Sequence, residues 1–249
     1  MYSKLSIVIP IYNELENVKN IVRQLDSIGK DNFEVIFVDG YRQSDSDLLR
    51  DIIGPKYKYI RSGKGRGRQM NKGFEMAKHD LILFLHCDKT LNLHQTFLLT
   101  ILSFDDIISS ANRGVEFGCM SIYFNDSRIL MKICGFMSRF RAKKRKIAFG
   151  DQGVFFTRYA FEKLGGYKEI GIMEDYDISI RAKGVYDLVQ IDTRIVTSSR
   201  RFYTGKGRFN KPPLTDIGIL MVMRDMQVFQ RAYRRGIDPD IIVKRYYKH

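Results

Sequence analysis

The sequence has few cysteines and no long apolar run. Its three cysteines, Cys87, Cys119 and Cys134, are widely spaced, so neither a disulfide framework nor a tetrahedral zinc site is expected. The longest uninterrupted run of apolar or glycine residues, 217–223, is far shorter than the ~20 residues that cross a bilayer. The amino terminus lacks the apolar stretch and cleavage site of a signal peptide. We therefore expect a cytoplasmic protein, free or bound peripherally to the inner face of a membrane.

Acidic residues are scarce relative to basic ones. The 249 residues include 28 Asp and Glu but 42 Lys and Arg, which gives a formal net charge of +14. Such a balance favours polyanionic partners: nucleic acid, anionic lipid or phosphorylated substrates. One function left open is therefore that of a basic protein that binds nucleic acid or anionic lipid. No nucleic-acid-binding motif accompanies the charge, so nucleic acid is not a partner that we favour.

The common phosphate-binding signatures are also missing. The glycine-rich segment 63–67 is not followed by Gly-Lys-Ser/Thr and does not come after the first expected strand, so it is neither a P-loop nor a dinucleotide fingerprint. Its glycines could still bring the backbone close to a phosphate at the start of a helix, or they could form a mobile basic loop. A nucleotidyltransferase, a further alternative, usually has a glycine-rich loop where this chain has Pro-Ile-Tyr-Asn-Glu at 10–14.

Five apolar residues, 81–85, lead directly to His86, Cys87 and Asp88. The run is too short for an ordinary helix and does not alternate, so we predict a central strand that is covered on both faces. In open α/β sheets ligands bind outside the carboxyl ends of the strands, which is where Asp88 would lie. The alternative is that Asp88 caps the following helix.

Strands and helices alternate through the first 88 residues. We predict strands at 6–9, halted by Pro10, and at 33–38, 57–60 and 81–85, with helices at 14–28, 44–53 and 70–77. Because each parallel pair of strands requires a crossover, this order predicts an α/β fold. Its sheet would be mixed but mainly parallel, with helices on both faces.

The order beyond residue 92 is less regular. We predict helices at 92–102, 129–140 and 174–183, strands at 114–124 and 154–157, and tail helices at 214–235 and from Pro239. The helix at 129–140 has a broad apolar face and a basic end, which suits packing on the sheet, a membrane surface or a homodimer. We expect a catalytic domain at 1–211 and a helical tail at 212–249 that packs on it, on a partner or on a membrane.

Carboxylates follow two expected strands and open one helix. Asp39 and Asp88 follow strands, and Glu174 and Asp175 begin the helix. Together they would suit a cleft for a nucleotide, a catalytic base and Mg²⁺ or Mn²⁺, since these cations prefer oxygen ligands. For each carboxylate alone, a cap or turn role is the commoner explanation.

Several of these segments, taken in order, carry a resemblance. They are 6–14, the strand that ends in Asp39, 65–71, 84–88, 150–153 and 173–177. In this order they resemble family-2 glycosyltransferases. They are most similar to a small bacterial subgroup with a Ser-Arg-Arg-aromatic motif, here at 199–202, and a helical C-terminal tail.

The resemblance implies a GT-A fold and an inverting transfer of a sugar from a nucleotide-diphosphate sugar to an acceptor hydroxyl. A lipid-linked acceptor or a cell-envelope glycan would fit the subgroup. Carried over by position, the residues that would hold the base and ribose are Pro10, Tyr12, Glu14 and Asp39, with Arg68 near the nucleotide.

The resemblance also implies a metal site and a catalytic group. Asp88 would contact Mg²⁺ or Mn²⁺ and the diphosphate, and Asp175 would be the general base beside Glu174. Arg200 or Arg201 would lie near the leaving diphosphate. Many relatives have Asp-X-Asp where this chain has His-Cys-Asp at 86–88. One carboxylate fewer lowers the expected metal affinity and leaves strict metal dependence open.

Overall fold

The computed structural model describes residues 1–28, 33–41, 45–87, 104–124, 126–197, 199 and 216–247. Its strands are β1 Leu5–Ile11, β2 Phe33–Asp39, β3 Lys58–Arg61, β4 Leu81–Phe84, β5 Phe117–Phe124, β6 Val154–Thr157 and β7 Leu188–Thr197. Within the described ranges they form one sheet in the order β3-β2-β1-β4-β6-β5-β7. The helix predicted at 92–102 lies outside the described residues, as do Asp88, Arg200 and Arg201.

Helices connect the strands and cover both faces of the sheet. They are α1 Leu15–Ile28, α2 Asp45–Ile53, α3 Arg66–Met76, α4 Phe104–Asn112, α5 Ile129–Phe140, α6 Arg158–Lys163, α7 Glu174–Lys183, α8 Asp216–Arg234 and α9 Pro239–Tyr247. β1 is parallel to β2 and β4, and β2 is parallel to β3. Every residue of β1 and β4 is buried, as continuous apolar runs predict for strands covered on both sides.

Pro10 does not end the first strand, which continues to Ile11. The carbonyl of Ile11 accepts the Gly40 N–H on the β2 side, whereas the carbonyl of Val8 accepts the Leu85 N–H on the β4 side. Successive residues of a strand direct their backbone N–H and C=O groups to opposite neighbouring strands, so the backbone nitrogen of Pro10, like the carbonyl of Val8, faces β4. The β4 pairing stops at Val8. The missing N–H of Pro10 therefore breaks no ladder bond, and a proline is tolerated there.

The second half of the sheet is mixed. β6 is antiparallel to both β4 and β5, and β7 is parallel to β5 with an irregularity between Met120 and Ser121. β7 and α4 were absent from the elements that we predicted. β5 begins at Phe117 rather than at Gly114, because Gly114 has a φ of 90° in the turn that ends α4.

Alternate residues of β1 enter two separate cores. Ile7 and Ile9 pack with α1 and α4 on one face, while Val8 packs with α3 and α7 on the other. On the second face α3 lies very close to the sheet. A Cβ added to Gly73 would lie 2.2 Å from Cγ1 of Val8, so only glycine fits there.

The tail helices pack on the rest of the chain. Ile219 of α8 forms a third apolar cluster with Met131 and Cys134 of α5. Farther along α8, the hydroxyl of Tyr233 donates a 2.6 Å hydrogen bond to Asp177 of α7. Among the described helices, none is both long and apolar enough to cross a membrane.

Candidate active site

Asp39, at the end of β2, is buried and has both carboxylate oxygens engaged. Oδ1 accepts the Tyr41 backbone N–H at 2.9 Å, and Oδ2 accepts the Tyr59 hydroxyl at 2.8 Å. Burial, together with this bond to Asp39, raises the pKa of Tyr59 well above its ordinary value. The tyrosine therefore stays a neutral donor that holds the carboxylate in place.

Gln69 ties the first turn of α3 to the ends of two strands. Its buried Nε2 donates to the carbonyls of Ile11 and Val38, both at 2.7 Å. A Cβ on Gly40 would lie 2.8 Å from the Gln69 amide, so a glycine must follow Asp39. We had assigned no role to Gln69, although it belongs to the Gly-Arg-Gln segment that supports the family resemblance.

The loop after β1 presents an aromatic ring beside a cation. The ring of Tyr12 is 37% exposed and meets Tyr41 edge-on at 5.2 Å. The ammonium group of Lys64 lies 5.0 Å from the centroid of Tyr12. Asn13, next in the loop, has a φ of 54°, a conformation that costs energy and is often found at ligand sites.

Two carboxylates begin α7. The residue before them, Met173, has a φ of 71°, and the helix N-terminus favours negative charge at this point. Oδ2 of Asp175 accepts the Gly150 N–H at 2.9 Å. Glu174 is only 3% exposed and pairs with Arg66 of α3 at 3.5 Å. Burial, and next the charge of Asp175, raise the pKa of Glu174 to about 7, while Arg66 opposes the shift.

The turn at 150–153 supports Asp175 from the side of β6. A Cβ on Gly150 would lie 1.9 Å from the ring of His86, so this glycine lets the turn approach the end of β4. The buried Oε1 of Gln152 accepts bonds from the Arg141 guanidinium at 2.9 Å and from the Phe149 N–H at 3.1 Å. The guanidinium also lies 3.9 Å from the centroid of Phe149. Gly150 thus reaches Asp175 from a well-anchored turn.

These elements surround a cavity of about 1260 Å³. One side, which we call the sheet wall, comprises the lining residues from strand ends, the loops after them and the start of α3: Tyr12, Glu14, Lys64, Arg66, His86 and Cys87. The other side, the helix wall, is lined mainly by Val222, Met226, Phe229, Ile237, Ile242 and Val243 of the tail. Glu174 and Asp175 line the cavity as well, together with Asp151.

The cavity brings together Pro10, Tyr12, Glu14, Glu174 and Asp175 from the predicted set. Asp39 and Arg68 are not among its lining residues. Asp39 is buried with its carboxylate held by Tyr41 and Tyr59, and Arg68 forms an ion pair with Glu169 at 2.7 Å. The cations on the sheet wall are Lys64 and Arg66, two residues that we had not assigned to the nucleotide. Both belong to the basic glycine-rich segment 63–67, and the charge of that segment is the sequence feature that could have identified them.

No cluster of three or more His, Cys, Asp or Glu that could hold a metal ion occurs in the described part of the chain. Asp88, the predicted ligand, lies outside it and follows Cys87, which lines the cavity. Mg²⁺ commonly binds through one or two carboxylates plus phosphate oxygens and water. One or two protein carboxylates are therefore enough to bind Mg²⁺ when a diphosphate supplies further oxygen ligands.

The profile of the family described as "Glycosyl transferase family 2" matches residues 6–165. The chain belongs to this family. It is also 26% identical over 207 residues to the probable glycosyltransferase YdaM of Bacillus subtilis (strain 168). That similarity covers 74% of this chain and 47% of YdaM, so the chain spans about half the length of this curated relative.

Solved glycosyltransferase structures have the same fold. The mannosyltransferase PcManGT from Pyrobaculum calidifontis, in complex with GDP-Man and Mn²⁺, matches with a TM-score of 0.60 and 14% identity over 94% of this chain and 64% of its own. Glucosyl-3-phosphoglycerate synthase from Mycobacterium tuberculosis, with Mn²⁺ and UDP, matches with a TM-score of 0.57 and 12% identity over 94% and 81%. The predicted GT-A fold of this family-2 member, with its mainly parallel sheet, is confirmed.

A third solved structure is S. aureus TarS residues 1–349 in complex with UDP-GlcNAc. It matches with a TM-score of 0.55 and 14% identity over 79% of this chain and 59% of its own. At identities this low, each likeness shows the fold alone.

Proposed function

We propose that this family-2 member is an inverting glycosyltransferase that moves a sugar from a nucleotide-diphosphate sugar to an acceptor hydroxyl. The observation that carries the proposal is the position of Asp175. Its carboxylate lines the same cavity as Lys64 and Arg66, so a base and two cations face one space. The nucleotide sugars bound by PcManGT and TarS support a donor of this class.

Asp175 is proposed as the general base. It would take the proton of the acceptor hydroxyl while the acceptor oxygen attacks C1 of the sugar, and the bond from C1 to the β-phosphate oxygen breaks with inversion. The N–H of Gly150 would keep one carboxylate oxygen oriented during the attack. Glu174, buried beside it, would position Arg66 through their ion pair.

The donor would be held mainly on the sheet wall. We propose that Pro10, Tyr12 and Glu14, which line the cavity, form the base and ribose site. Asp39, held by Tyr41 and Tyr59, and Arg68, paired with Glu169, are proposed to support the nucleotide site from outside this lining. Lys64, Arg66 and the N-terminus of α3 suit the diphosphate, because helix N-termini and basic side chains bind anions. Arg200 or Arg201 would neutralise the leaving diphosphate.

A divalent cation, Mg²⁺ or Mn²⁺, is part of the proposal. Asp88 would hold it together with the diphosphate oxygens, and Asp151 is one of the described carboxylates that line the cavity. When bound, the cation would offset the charge that builds on the departing β-phosphate. PcManGT and the synthase both contain Mn²⁺, which supports this cofactor class.

The acceptor would enter along the helix wall. That wall is mainly apolar, and its basic members are Arg245 and Arg224, the latter paired with Asp225 at 3.3 Å. It suits an acceptor that is partly apolar and carries an anionic group. We therefore propose a lipid-linked acceptor or a cell-envelope glycan, used by a protein peripheral to a membrane. In this proposal residues 1–211 are the transferase domain and 212–249 the tail that completes the acceptor side.

Nucleotide binding tests the donor assignment. UDP, GDP, ADP, CDP and dTDP are titrated into the protein by calorimetry, each with Mg²⁺ or Mn²⁺, and one of them should bind. At 100 times its dissociation constant that nucleotide should add about 2.7 kcal/mol to the free energy of unfolding. Arg66→Ala should weaken binding about tenfold. Lys72→Ala, on the same helix but paired with Glu75 at the surface, is the matched control. Absence of heat for every nucleotide contradicts the proposal.

A further inference from the structure

Five large apolar side chains of α5 are exposed on one face of the helix. The exposed fractions are 75% for Ile129, 44% for Ile133, 58% for Phe136, 46% for Met137 and 43% for Phe140. At 3.6 residues per turn these positions fall within an arc of about 100°. We call them the α5 stripe. Scattered exposed apolar residues are ordinary, but a contiguous stripe of this kind marks a binding surface.

Basic residues surround the α5 stripe. Residues 127–150 contain eight Lys and Arg and no Asp or Glu. Lys132 is exposed on α5 itself, and Lys143, Lys144 and Arg145 are exposed in the turn that continues it. None of these four forms a salt bridge with a carboxylate in the described part of the chain. The turn ends at Lys146, whose φ is 56°. The stripe is therefore followed by a compact cationic segment.

The opposite face of α5 is already occupied. Met131, Cys134 and Gly135 are buried, and the first two pack against Ile219 of α8. The stripe cannot turn inward without breaking this cluster. Val222 of α8 packs on the same cluster and also lines the cavity. α8 therefore lies between α5 and the cavity.

The charge around the stripe selects among partners. In a twofold dimer the patch would pack on a second copy of itself, and its exposed basic residues would find no Asp or Glu between 127 and 150 of that copy to offset their charge. An anionic membrane surface offers the complementary chemistry. Its acyl region accepts the apolar face of a helix, and its headgroups attract the lysines and arginines beside it.

We propose that the α5 stripe and the cationic segment 143–145 dock the protein on membranes that contain anionic phospholipid. The stripe enters the boundary between headgroups and acyl chains, and the cationic segment lies among the headgroups. Docking does not depend on the transfer reaction. It gives the peripheral location a defined surface and brings the helix wall near lipid-borne acceptors.

Vesicle flotation tests the docking surface. The purified protein should float with phosphatidylglycerol-containing vesicles at low salt, and much less with phosphatidylcholine vesicles. Replacing Lys143, Lys144 and Arg145 by Gln should lower partitioning about 100-fold, since each basic residue near an anionic surface contributes roughly fivefold. Phe136→Ser combined with Met137→Ser should lower it on every vesicle, because binding scales with buried apolar area. Salt at 1 M, where screening reaches about 3 Å, should weaken the electrostatic part.

Two controls separate docking from folding and from donor binding. Leu48→Ser removes an apolar side chain of similar exposure, 46%, from α2, near the opposite edge of the sheet, and should leave flotation unchanged. Nucleotide heats should be equal in all the variants. The proposal is overturned if the protein does not float at low salt, or if the stripe variants float like the parent. It is also overturned if sedimentation shows a dimer that Phe136→Ser dissociates.

Discussion

The sheet wall of the cavity is polar and charged, whereas the helix wall is largely apolar. The sheet wall is held by short hydrogen bonds at strand ends, such as those from Gln69 to Ile11 and Val38. The helix wall is held by packing. For example, Val243 packs so closely on Gly171 that a Cβ added to this glycine would lie 2.9 Å from Cγ2 of Val243. Rigid polar groups suit a charged ligand with a fixed shape. Apolar packing suits a ligand whose main requirement is removal from water.

The first turn of α7 joins the two walls. Glu174 pairs with Arg66 of the sheet wall. Asp177 accepts a hydrogen bond from the hydroxyl of Tyr233 on α8, a helix that contributes to the helix wall. Asp177 also pairs with Lys168 at 2.8 Å and Arg181 at 2.6 Å. Asp175 lies between these contacts, where donor and acceptor would meet. The comparison of the walls therefore predicts different consequences for changes on each side and at the junction.

The largest effect is expected at the junction. Asp175→Asn should lower turnover by roughly 10²- to 10⁴-fold, the usual worth of a general base, and leave nucleotide affinity nearly intact, because the base acts only when the hydroxyl attacks. Asp88→Asn should weaken metal-dependent nucleotide binding as well as turnover. Steady-state rates and calorimetry on the two variants distinguish the roles.

A helix cap provides the control for Asp175. Oδ1 of Asp238 accepts the Asp240 N–H at 2.8 Å at the start of α9, so Asp238→Asn changes a carboxylate at a helix N-terminus away from the junction. It should alter stability by up to about 1 kcal/mol with little change in rate. If Asp175→Asn behaves in the same way, or loses nucleotide binding as severely as Asp88→Asn, Asp175 is not the base.

A smaller effect at the junction depends on pH. Burial raises the pKa of Glu174 from 4.5 to about 7, so the folded protein binds this proton more tightly than the unfolded chain. The resulting stabilisation is present below pH 4.5 and is lost as the pH rises through 7. Glu174→Gln removes the titration. Between pH 5 and pH 8, we expect the free energy of unfolding of the parent to fall by on the order of 2 kcal/mol relative to that of the variant.

Urea unfolding at several pH values measures this difference. Glu169→Gln, which alters an exposed partner of Arg68, is the control and should follow the pH dependence of the parent. Parallel curves for the parent and Glu174→Gln would mean that Glu174 is ionised without a cost, contrary to its burial at 3% exposure.

The sequence predicted the family, the fold and many elements of both halves. The bounds of α5, α7 and β6 agree with the predicted ones. In α5 the apolar spacing of a helix is strong, and β6 is a short apolar run. β7 was missed because charged residues such as Asp192 and Arg194 interrupt its apolar residues. It lies at the edge of the sheet, where one side of a strand can face water.

The site was predictable only in its motifs. Gln69 bonds carbonyls 58 and 31 residues away, and Gly150 bonds a carboxylate 25 residues away. No local pattern encodes such contacts, because they depend on how α3, α7 and the strand ends pack. The helix wall could not be predicted for the same reason, since the bond that attaches it joins Tyr233 to Asp177, 56 residues away. The assigned roles of Asp88, Asp175, Arg200 and Arg201 stay predictions.

The smallest effect is expected where the helix wall is attached. Tyr233→Phe removes its bond to Asp177, which keeps Lys168 and Arg181 as partners, so the free energy of unfolding should fall by about 1 kcal/mol. Tyr57→Phe removes a bond to Asp26 at the surface and should cost less than half as much, because water replaces it. Nucleotide affinity should be unchanged in both, since neither tyrosine lines the sheet wall. If Tyr233→Phe weakens nucleotide binding, the two walls are not independent, and the tail helices take part in holding the donor.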